Sequence, residues 1–443
     1  MLTYTKDLPQ GEHYDVIVVG SGSAGSTAAI AAARGGARTL LLERLPFLGG
    51  TSTAVLDTFY GFYTPGERSL KVVGGIPDDV IAGLQGYASW LERPNTYGAG
   101  TGVTYHPEYL KLVWERLVED SGAKVLLNAW VQDVEATDGH LRALIVATKM
   151  GLRRFSADTF IDASGDADLC HLADIGYELA GAIDPAQTLT TSFKMCNVDI
   201  ARRKSISKDE FHNLMAAAAE SGDYALPRKE GSDHITPVNH MTATIMTRLP
   251  SYYKQGETMV NATDPELLSS AEIEGRRQAV EYIRFLRDKV PGYEKAQLST
   301  FGFQIGVRET RRVYGDYRMT REDVLEARQF DDQISLCGAP IEDHGGGADT
   351  KWVYLPEGKT VGVPYRALIP RDGKNLLVAG RCFSATHDAH ASVRSMAQTM
   401  SMGQAAGTAA ALCTKKSQTP REIDPAQLRD QLRQIGALVD SPN

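Results

Sequence analysis

The sequence predicts an α/β protein built around a mostly parallel β-sheet, together with a second, α+β domain. Three observations support this prediction. A buried strand, a glycine-rich turn, a small-residue helix and a second strand follow one another in residues 14–43, as in sheets whose parallel strands are connected by helices. A further buried strand and small-residue helix occupy residues 375–413. The region between them contains amphipathic helical patterns, and 443 residues exceed what one hydrophobic core usually needs.

The composition restricts the classes of function. With 42% hydrophobic and 23% charged residues, the chain is typical of a soluble globular protein. The formal net charge of −8 argues against a nucleic-acid partner, because phosphate backbones attract an excess of lysine and arginine. No apolar stretch is long enough for a membrane span, and residues 1–12 contain no apolar signal core, so we expect a cytoplasmic protein.

The cysteines give no sign of a structural cross-link or a metal. There are five, scattered along the chain and without a C-x-x-C pair. This pattern predicts neither a disulfide framework nor a zinc or iron–sulfur site. We therefore expect reduced, mostly buried thiols and no bound metal.

The first element is a Rossmann-type βαβ unit. Residues 14–19 form a continuous, mostly β-branched apolar run, which is typical of a strand buried on both faces of a parallel sheet. A turn of the form G-x-G-x-x-G follows at residues 20–25, then an alanine-rich helix to Arg34 and a second apolar strand at residues 38–42. Glu43 ends that strand close to the spacing of about 20 residues expected for a carboxylate that binds a ribose.

Each glycine of this turn has a physical reason. Gly20 makes the tight turn, Gly22 lets the backbone approach a pyrophosphate, and Gly25 lets the helix pack closely against the strand. The unpaired N–H groups and the positive dipole end of the helix would face the phosphates. Glu43 would accept hydrogen bonds from ribose hydroxyls, which favours FAD or NAD over NADP, although the neighbouring Arg44 leaves NADP open.

The rest of the chain differs from an NAD enzyme, in which a second mononucleotide-binding half usually follows the first. Here the first unit is followed by a glycine- and hydroxyl-rich loop at residues 48–53. Much later, a buried strand ends at Gly380, and a small-residue helix covers residues 396–413. Gly403 and Gly407 in this helix predict that it packs closely on the sheet.

Several motifs together indicate a family. They are residues 15–25 (DVIVVGSGSAG), 49–52 (GGTS), 160–168 (FIDASGDAD), 306–312 (GVRETRR), 315–317 (GDY) and 379–392 (AGRCFSATHDAHAS). With these motifs nearly the whole chain resembles the FAD-dependent oxidoreductases related to the glutathione reductase and fumarate reductase flavoproteins. The first and third motifs are shared by many flavoproteins, and their combination with the last is more specific.

The resemblance implies FAD as the cofactor and relates residues to its parts. The residues expected along the pyrophosphate are Gly20, Gly22, Ser23, Ala24 and Gly25. Glu43 and Arg44 are expected at the adenosine ribose, and the Val131 backbone at the adenine. The residues expected between the pyrophosphate and the flavin ring are Gly50, Thr51, Ser52, Gly165, Asp166, Gly380 and Arg381. The first backbone amides of the last helix, at Ala397 and Gln398, are expected to face the flavin C2 oxygen. A positive helix end at that oxygen would stabilise the charge of a reduced flavin.

The positions of these motifs predict a discontinuous FAD-binding domain. It would comprise residues 1–185 and 371–443 with part of 301–320, including a loop-rich insertion at residues 58–104. Residues 186–300 and 321–370 would form a second domain that binds substrate or caps the cofactor. In it we predict a strand at residues 188–194 and amphipathic helices at residues 208–221 and 265–289.

Candidate catalytic residues cluster just before the last helix. His387 and His390 could exchange a substrate proton near neutral pH, and Asp388 could orient one of them. Arg394 could hold a substrate carboxylate or balance a reduced flavin. Because the family carries a similar string, the same residues could instead only shape the flavin-binding loop.

A second candidate for catalysis is Arg308. Helical spacing would place it on one face with Arg311 or Arg312, where these side chains could clamp an anionic substrate. Ion pairs with Glu309 explain the same pattern equally well. His344, in a glycine-rich loop, could reach the active site.

Together these patterns predict an FAD-dependent oxidoreductase, either a dehydrogenase or an oxidase, that transfers a hydride between a small organic molecule and the flavin. The electron acceptor would be oxygen, a quinone or a redox protein, and the chain could assemble as a homo-oligomer. Two alternatives stay open. One is a flavin monooxygenase that uses NAD(P)H transiently, and the other is a redox-neutral flavin isomerase or lyase.

Overall fold

The computed structural model describes residues 7–66, 69–93, 101–345 and 350–441. Its strands, in chain order, are β1 (Gln10–Val19), β2 (Thr39–Leu42), β3 (Thr58–Phe59), β4 (Trp90–Arg93), β5 (Gly102–Tyr105), β6 (Lys124–Leu126), β7 (Trp130–Thr137), β8 (His140–Thr148), β9 (Gly151–Asp162), β10 (Tyr177–Leu179), β11 (Phe193–Cys196), β12 (Ser232–Ile235), β13 (Thr242–Ile245), β14 (Tyr252–Gln255), β15 (Thr258–Asn261), β16 (Gln297–Phe301), β17 (Arg311–Val313), β18 (Gln333–Cys337), β19 (Ile341–Asp343), β20 (Lys351–Val353), β21 (Val361–Pro364) and β22 (Leu376–Val378). Its α-helices are α1 (Ser23–Arg34), α2 (Thr51–Ala54), α3 (Ile76–Gly86), α4 (Pro107–Ser121), α5 (Asp168–Leu172), α6 (Ile200–Arg203), α7 (Lys208–Ser221), α8 (Pro265–Lys289), α9 (Arg321–Leu325), α10 (His387–Val393), α11 (Met396–Lys416) and α12 (Pro425–Gln434), and 3₁₀ turns cover Tyr365–Leu368 and Pro420–Glu422.

A seven-stranded sheet forms the centre of the molecule. Strands β6, β2, β1 and β9 lie side by side in that order, all parallel, and β22 is a further parallel neighbour of β9. The amino-terminal part of β9 pairs with β8, and β8 with β7, as an antiparallel meander. The predicted α/β fold with a mostly parallel central sheet is therefore confirmed.

Strand β1 is buried on both faces, as its apolar run predicts. Val16 and Val18 belong to the core shared with α1 and α11, whereas Ile17 and Val19 belong to the core on the opposite face. This alternation follows from the two-residue period of a strand. The second core also contains residues of β7, β8 and α5, so the parallel sheet lies between two covering layers.

The glycines of α11 contact a helix and not the sheet. A Cβ atom on Gly403 would lie 2.0 Å from the carbonyl oxygen of Ala24, and one on Gly407 would lie 2.2 Å from that of Ala28. Both alanines belong to α1, so our prediction that these glycines approach the sheet is wrong about the partner. The lack of side chains at these two positions lets the backbones of α1 and α11 touch.

The carboxyl ends of the parallel strands meet at one edge of the sheet. Gly20 follows β1, Glu43 follows β2, Ala163 follows β9 and Ala379 follows β22. Open α/β sheets bind their ligands at this edge, where loops and helix N-termini converge. The motifs recognised in the sequence therefore come together although they are far apart in the chain.

A four-stranded antiparallel sheet, ordered β12-β13-β11-β16, lies beside this edge. Phe193 and Met195 face a core formed with α7 and α8, whose bounds agree with the two predicted helices. The strand predicted at residues 188–194 begins later, at Phe193, and its first part makes only isolated bridges at Leu189 and Thr190. The face opposite to α7 and α8 presents side chains towards the cofactor edge.

Other parts of the chain differ from the prediction or extend it. The insertion at residues 58–104 contains α3 and a small sheet ordered β3-β5-β4, and its residues 67–68 and 94–100 lie outside the described ranges. All five cysteines are free thiols, and Cys196 is the one that is partly exposed. Within the described residues, each helix is too short or too polar to cross a bilayer.

Candidate active site

A cleft with an empty volume of about 1970 Å³, part of it open to solvent, runs along the carboxyl edge of the parallel sheet. It contains most of the residues that the resemblance relates to FAD. Those that line it are Gly20, Gly22, Ser23, Ala24, Glu43, Arg44, Gly50, Thr51, Val131, Gly165, Asp166, Gly380 and Arg381. We call this part of the cleft the cofactor groove.

The glycine-rich turn forms the floor of the cofactor groove. Gly20 has a φ of +91°, and a Cβ atom there would lie 2.5 Å from the Ala163 carbonyl oxygen. A Cβ atom on Gly25 would lie 1.7 Å from the carbonyl oxygen of Gly20, so this glycine is required for packing behind the groove. A Cβ atom on Gly22 would meet no atom within 4 Å. Gly22 therefore leaves open the space in front of the helix α1 N-terminus.

Glu43 is fixed at the end of β2. It is 4% exposed, and its Oε2 accepts hydrogen bonds from the Ser21 amide (2.7 Å) and hydroxyl (2.6 Å). The Leu45 amide donates to its Oε1 at 2.8 Å. Beside it, the Arg44 guanidinium lies over the Trp130 ring, 5.4 Å from the centroid. A carboxylate held this way suits a ribose, and the neighbouring arginine and indole can cover a purine.

The loop before α2 forms a second wall of the cofactor groove. Gly50 has a φ of +50°, and a Cβ atom there would lie 2.8 Å from the Gly22 Cα. Thr51 lines the groove, whereas Ser52 is buried and donates its hydroxyl proton to the Gly49 carbonyl at 2.7 Å. The close approach of the two glycine-rich segments sets the width of the groove at the α1 N-terminus.

Charged side chains from the segments that follow β9 and β22 form the third wall. The Arg381 Nη2 lies 3.2 Å from the Asp166 Oδ1, to which the Thr310 hydroxyl also donates at 2.8 Å. Burial and the carboxylates of Asp166 and Asp162 raise the pKa of Asp168 to about 7. The Arg311 charge opposes this shift and favours the ionised carboxylate.

The N-terminus of α11 closes one end of the groove. Ser395, Met396 and Thr399 line the cleft. The predicted residues Ala397 and Gln398 are in the first turn of this helix, but their side chains are buried and do not line the cleft. The side-chain amide of Gln398 donates to the Gly61 carbonyl at 2.6 Å. Any contact that these two residues make with a cofactor would therefore come from their backbone N–H groups.

These residues fit a bound dinucleotide. The empty space at Gly22 lies at a helix N-terminus, which favours phosphate. Among the described residues, the buried Ser23 hydroxyl and the Arg381 Nη1 have no hydrogen-bond partner. Buried polar atoms are rarely left unpaired, so both are available to a ligand in the groove.

The cleft continues beyond the cofactor groove into a second region, which we call the polar pocket. It is lined by Arg228, Arg308, Glu342, His344 and Arg394. The sequence analysis named Arg308 and Arg394 as catalytic candidates and His344 as a residue that could reach the site. It missed Arg228 and Glu342, because these residues belong to no local motif and the fold brings them in from distant segments.

Burial and hydrogen bonds set the charge of Glu342 and His344. The His344 Nε2 lies 3.0 Å from the Glu342 Oε1, and its Nδ1 lies 3.0 Å from the Thr350 hydroxyl. Burial and the Arg308 charge lower the pKa of His344 to about 3, so its ring is neutral near pH 7. Although burial raises the pKa of Glu342, the His344 hydrogen bond and the Arg394 and Arg308 charges lower it to about 2. Neutral His344 therefore donates a hydrogen bond from its Nε2–H to the Glu342 carboxylate.

Three residues that we predicted to be catalytic lie outside the cleft. His387 is held between buried Glu309 and Asp343, with its Nδ1 3.1 Å from a Glu309 oxygen and its Nε2 3.2 Å from the Asp343 Oδ1. Asp388 forms an ion pair with Arg321. His390 is 0% exposed, and its Nε2–H donates a hydrogen bond to the Arg381 carbonyl at 2.8 Å. Helix α10 thus places these three side chains outside the cleft, and their catalytic role stays a prediction that this geometry does not support.

The arginines near Arg308 are also arranged differently from the prediction. Arg311 and Arg312 begin strand β17 and are not on a helix with Arg308. Arg311 pairs with Asp168 at 3.2 Å, and buried Arg312 pairs with Glu309 and Glu178. The alternative explanation by ion pairs therefore holds for Arg312, and Arg308 alone of the three lines the cleft.

We expect the His390→Ala variant to lose stability while its turnover per bound FAD stays within a few-fold of wild type. The ring stacks on Phe383 at 5.8 Å and positions the Arg381 carbonyl, so its removal should lower the free energy of unfolding by roughly 2–4 kcal/mol. Denaturant unfolding and turnover per flavin measure the two effects, with exposed His140→Ala as the control. A turnover loss of about 10²–10⁴-fold at full FAD content would instead establish an acid–base role.

Fold and cleft together define a dinucleotide-binding α/β protein. The family model described as FAD dependent oxidoreductase matches residues 15–432. The chain therefore belongs to the FAD-dependent oxidoreductase family, and its cofactor is FAD. Among the described residues, no group of three or more His, Cys, Asp or Glu side chains could hold a metal ion.

Individual relatives show more limited similarity. Thiamine thiazole synthase of Methanococcus aeolicus is 29% identical over 234 residues, 50% of this chain and 82% of that enzyme. The 3-oxosteroid 1-dehydrogenase of Mycolicibacterium smegmatis is 50% identical over 61 residues, 14% of this chain and 10% of that enzyme, so the match spans a tenth of the dehydrogenase. Among solved structures, the flavin-dependent brominase Bmp2 has a TM-score of 0.51 at 12% identity, covering 95% of this chain and 83% of its own, which shows a shared fold.

Proposed function

We propose that the protein is an FAD-dependent dehydrogenase or oxidase that transfers a hydride between a small organic substrate and the flavin. The observation that carries this proposal is the continuity of the cleft, since the cofactor groove and the polar pocket form one cavity. Arg394 lines the polar pocket, and Met396, two residues later, begins α11 at the cofactor groove. A small molecule in the polar pocket would therefore lie next to the cofactor.

The side chains of the polar pocket suit the binding and orientation of a substrate. FAD supplies the chemistry of hydride acceptance and donation when it is bound. The guanidinium groups of Arg308 and Arg394 offer hydrogen bonds that fix a substrate, and neutral His344 holds a proton at its Nε2. Ser232 and Ile245, which are cross-strand partners in the four-stranded sheet, line the same cleft.

The proposal is tested by anaerobic reduction of the FAD-loaded protein. A screen of small organic acids, alcohols and amines should contain compounds that bleach the flavin without any nicotinamide, and mixing the reduced protein with oxygen, quinones or redox proteins should identify the acceptor. NADH and NADPH should reduce the flavin only slowly and without saturation, because the sequence contains no second dinucleotide motif.

Two results would contradict this proposal. Saturable reduction by NADPH at micromolar affinity, accelerated by an organic substrate, would identify a monooxygenase. Turnover of a substrate with no electron acceptor and no net flavin reduction would identify an isomerase or a lyase. In either case the flavin content of the preparation serves as the control for intact cofactor binding.

A further inference from the structure

Three arginines of the polar pocket form no close ion pair among the described residues. Within the part of the chain that the structure describes, the guanidinium groups of Arg228, Arg308 and Arg394 form no ion pair at 4.0 Å or less. Arg228 is 8% exposed, and the other two are partly buried. Buried arginine is usually paired, because removal of an unpaired charge from water is costly. An unpaired set of this size in one pocket therefore requires an explanation.

The contacts of these arginines are with neutral acceptors. The Arg308 Nη1 donates to the Thr188 carbonyl and to the Thr190 hydroxyl, both at 2.7 Å. The Arg228 Nη1 donates to the Ile245 carbonyl at 3.1 Å. The Nε atoms of Arg228 and Arg394 are buried and have no hydrogen-bond partner among the described residues. Hydrogen bonds thus hold Arg228 and Arg308 in place, while the Nε–H groups of Arg228 and Arg394 stay available to a ligand.

The charge balance of the polar pocket is positive. Glu342 is the carboxylate among its five lining residues, and it already accepts a hydrogen bond from His344. Against it stand three guanidinium groups. Their mutual repulsion is visible at Arg308, because burial and the charges of Arg394 and Arg228 lower the pKa of Arg308 to about 9. The side chain remains charged at neutral pH, and an excess of two positive charges is left.

We propose that the polar pocket binds a small organic anion that carries two negative charges, either as two carboxylates or as one phosphate monoester. This inference rests on the proposed function, since it names the substrate class of the same site. The planar guanidinium group of arginine can donate two parallel hydrogen bonds to the oxygens of a carboxylate or a phosphate. Ile245 and Trp352 line the same cleft and offer apolar surface to the carbon skeleton.

Binding to the FAD-loaded protein, measured by flavin difference spectra and by thermal shift, tests this inference without any turnover. The probes are malonate, succinate and glycerol phosphate, each compared with a neutral counterpart (malonamide, succinamide and glycerol) and with singly charged butyrate. We expect saturable binding of at least one dianion, at least tenfold tighter than butyrate, and no binding of its neutral counterpart. The series that binds identifies carboxylate or phosphate as the source of the charge.

Variants relate this binding to the arginines. Arg308→Gln should weaken dianion binding about tenfold to hundredfold, because it removes a charge-assisted hydrogen bond. Arg308→Lys should recover part of the loss, and Arg394→Gln provides a second variant in case Arg308→Gln does not fold. The matched control is Arg277→Gln, at an exposed side chain of α8, which should bind like wild type.

The outcomes separate this inference from the proposed function. Dianion binding that depends on Arg308 supports the inference even if no probe reduces the flavin. Reduction of the flavin by a neutral compound, with no dianion binding, overturns the inference and leaves the proposed function standing. Equal binding of dianions, monoanions and neutral amides, or dianion binding that is unchanged in both arginine variants, also overturns it.

Discussion

The Gly22→Glu variant should fold normally and lose FAD. At this position φ is −58°, which any residue can adopt, and a Cβ atom would meet no protein atom within 4 Å. The side chain would project into the cofactor groove at the α1 N-terminus and place a carboxylate in the path of the pyrophosphate. Like charges brought together cost several kcal/mol, so we expect the FAD affinity to fall by roughly three orders of magnitude.

The measurement is the FAD released per mole of purified protein, with thermal unfolding of the apo-protein as the test of folding. Gly22→Ala separates volume from charge and should lose less affinity than Gly22→Glu. The matched control is Gly86→Glu, because a Cβ atom on this exposed glycine of α3 also meets nothing within 4 Å. Recovery of the Gly22→Glu protein with one FAD per chain would show that the pyrophosphate does not lie in front of Gly22.

The Gly403→Ala variant should lose both stability and FAD. The single added methyl group would lie 2.0 Å from the Ala24 carbonyl oxygen and 2.9 Å from its Cα, and both are backbone atoms that cannot rotate away. Helices α1 and α11 would have to separate. We expect the free energy of unfolding to fall by roughly 3 kcal/mol or more, at the upper end of what overpacking costs. FAD affinity should fall as well, since Ala24 is in the first turn of α1, which lines the cofactor groove.

Two further variants make this result specific. Gly407→Ala creates the same kind of clash with Ala28, one helical turn further from the groove, so it should lower stability similarly but FAD affinity less. Gly86→Ala adds a methyl group at an exposed position of α3 and should leave the stability unchanged or slightly higher. Denaturant unfolding and FAD titration provide both quantities. A Gly403→Ala protein as stable as wild type would show that the two helices are not in direct backbone contact.

The features that the sequence predicted well are encoded locally. Helix α7 begins after Ser207, whose hydroxyl accepts from the Glu210 amide while the Glu210 carboxylate accepts from the Ser207 amide. Such a capping box is recognisable in the sequence itself. Helix α8 likewise begins with Pro265 after an Asp264 cap. The glycine-rich turn is also a local pattern, and the tight turn at Gly20 and the close packing at Gly25 agree with what their positions predicted.

The polar pocket could not be predicted in the same way, because it depends on contacts between distant segments. Arg228 lies before β12, and its position in the pocket follows only from the face that β12 and β13 turn towards the cleft. The position of His387 and His390 outside the cleft has a related cause. A segment that connects the cofactor strand to the last helix passes close to the cofactor, but the direction of each side chain depends on helix α10, which the sequence analysis did not predict.

The placement of β22 and α11 has a consequence for how the protein is made. Strand β22 pairs with β9, and α11 covers α1, although β9 and α1 are synthesised long before them. While the chain is still growing on the ribosome, the sheet has an open edge at β9 and α1 has an uncovered apolar face. Contacts of such long sequence separation form slowly and leave aggregation-prone surface exposed in the meantime. The cofactor groove is therefore complete only when residues 376–416 have been synthesised, because Gly380, Arg381 and the first turn of α11 line it.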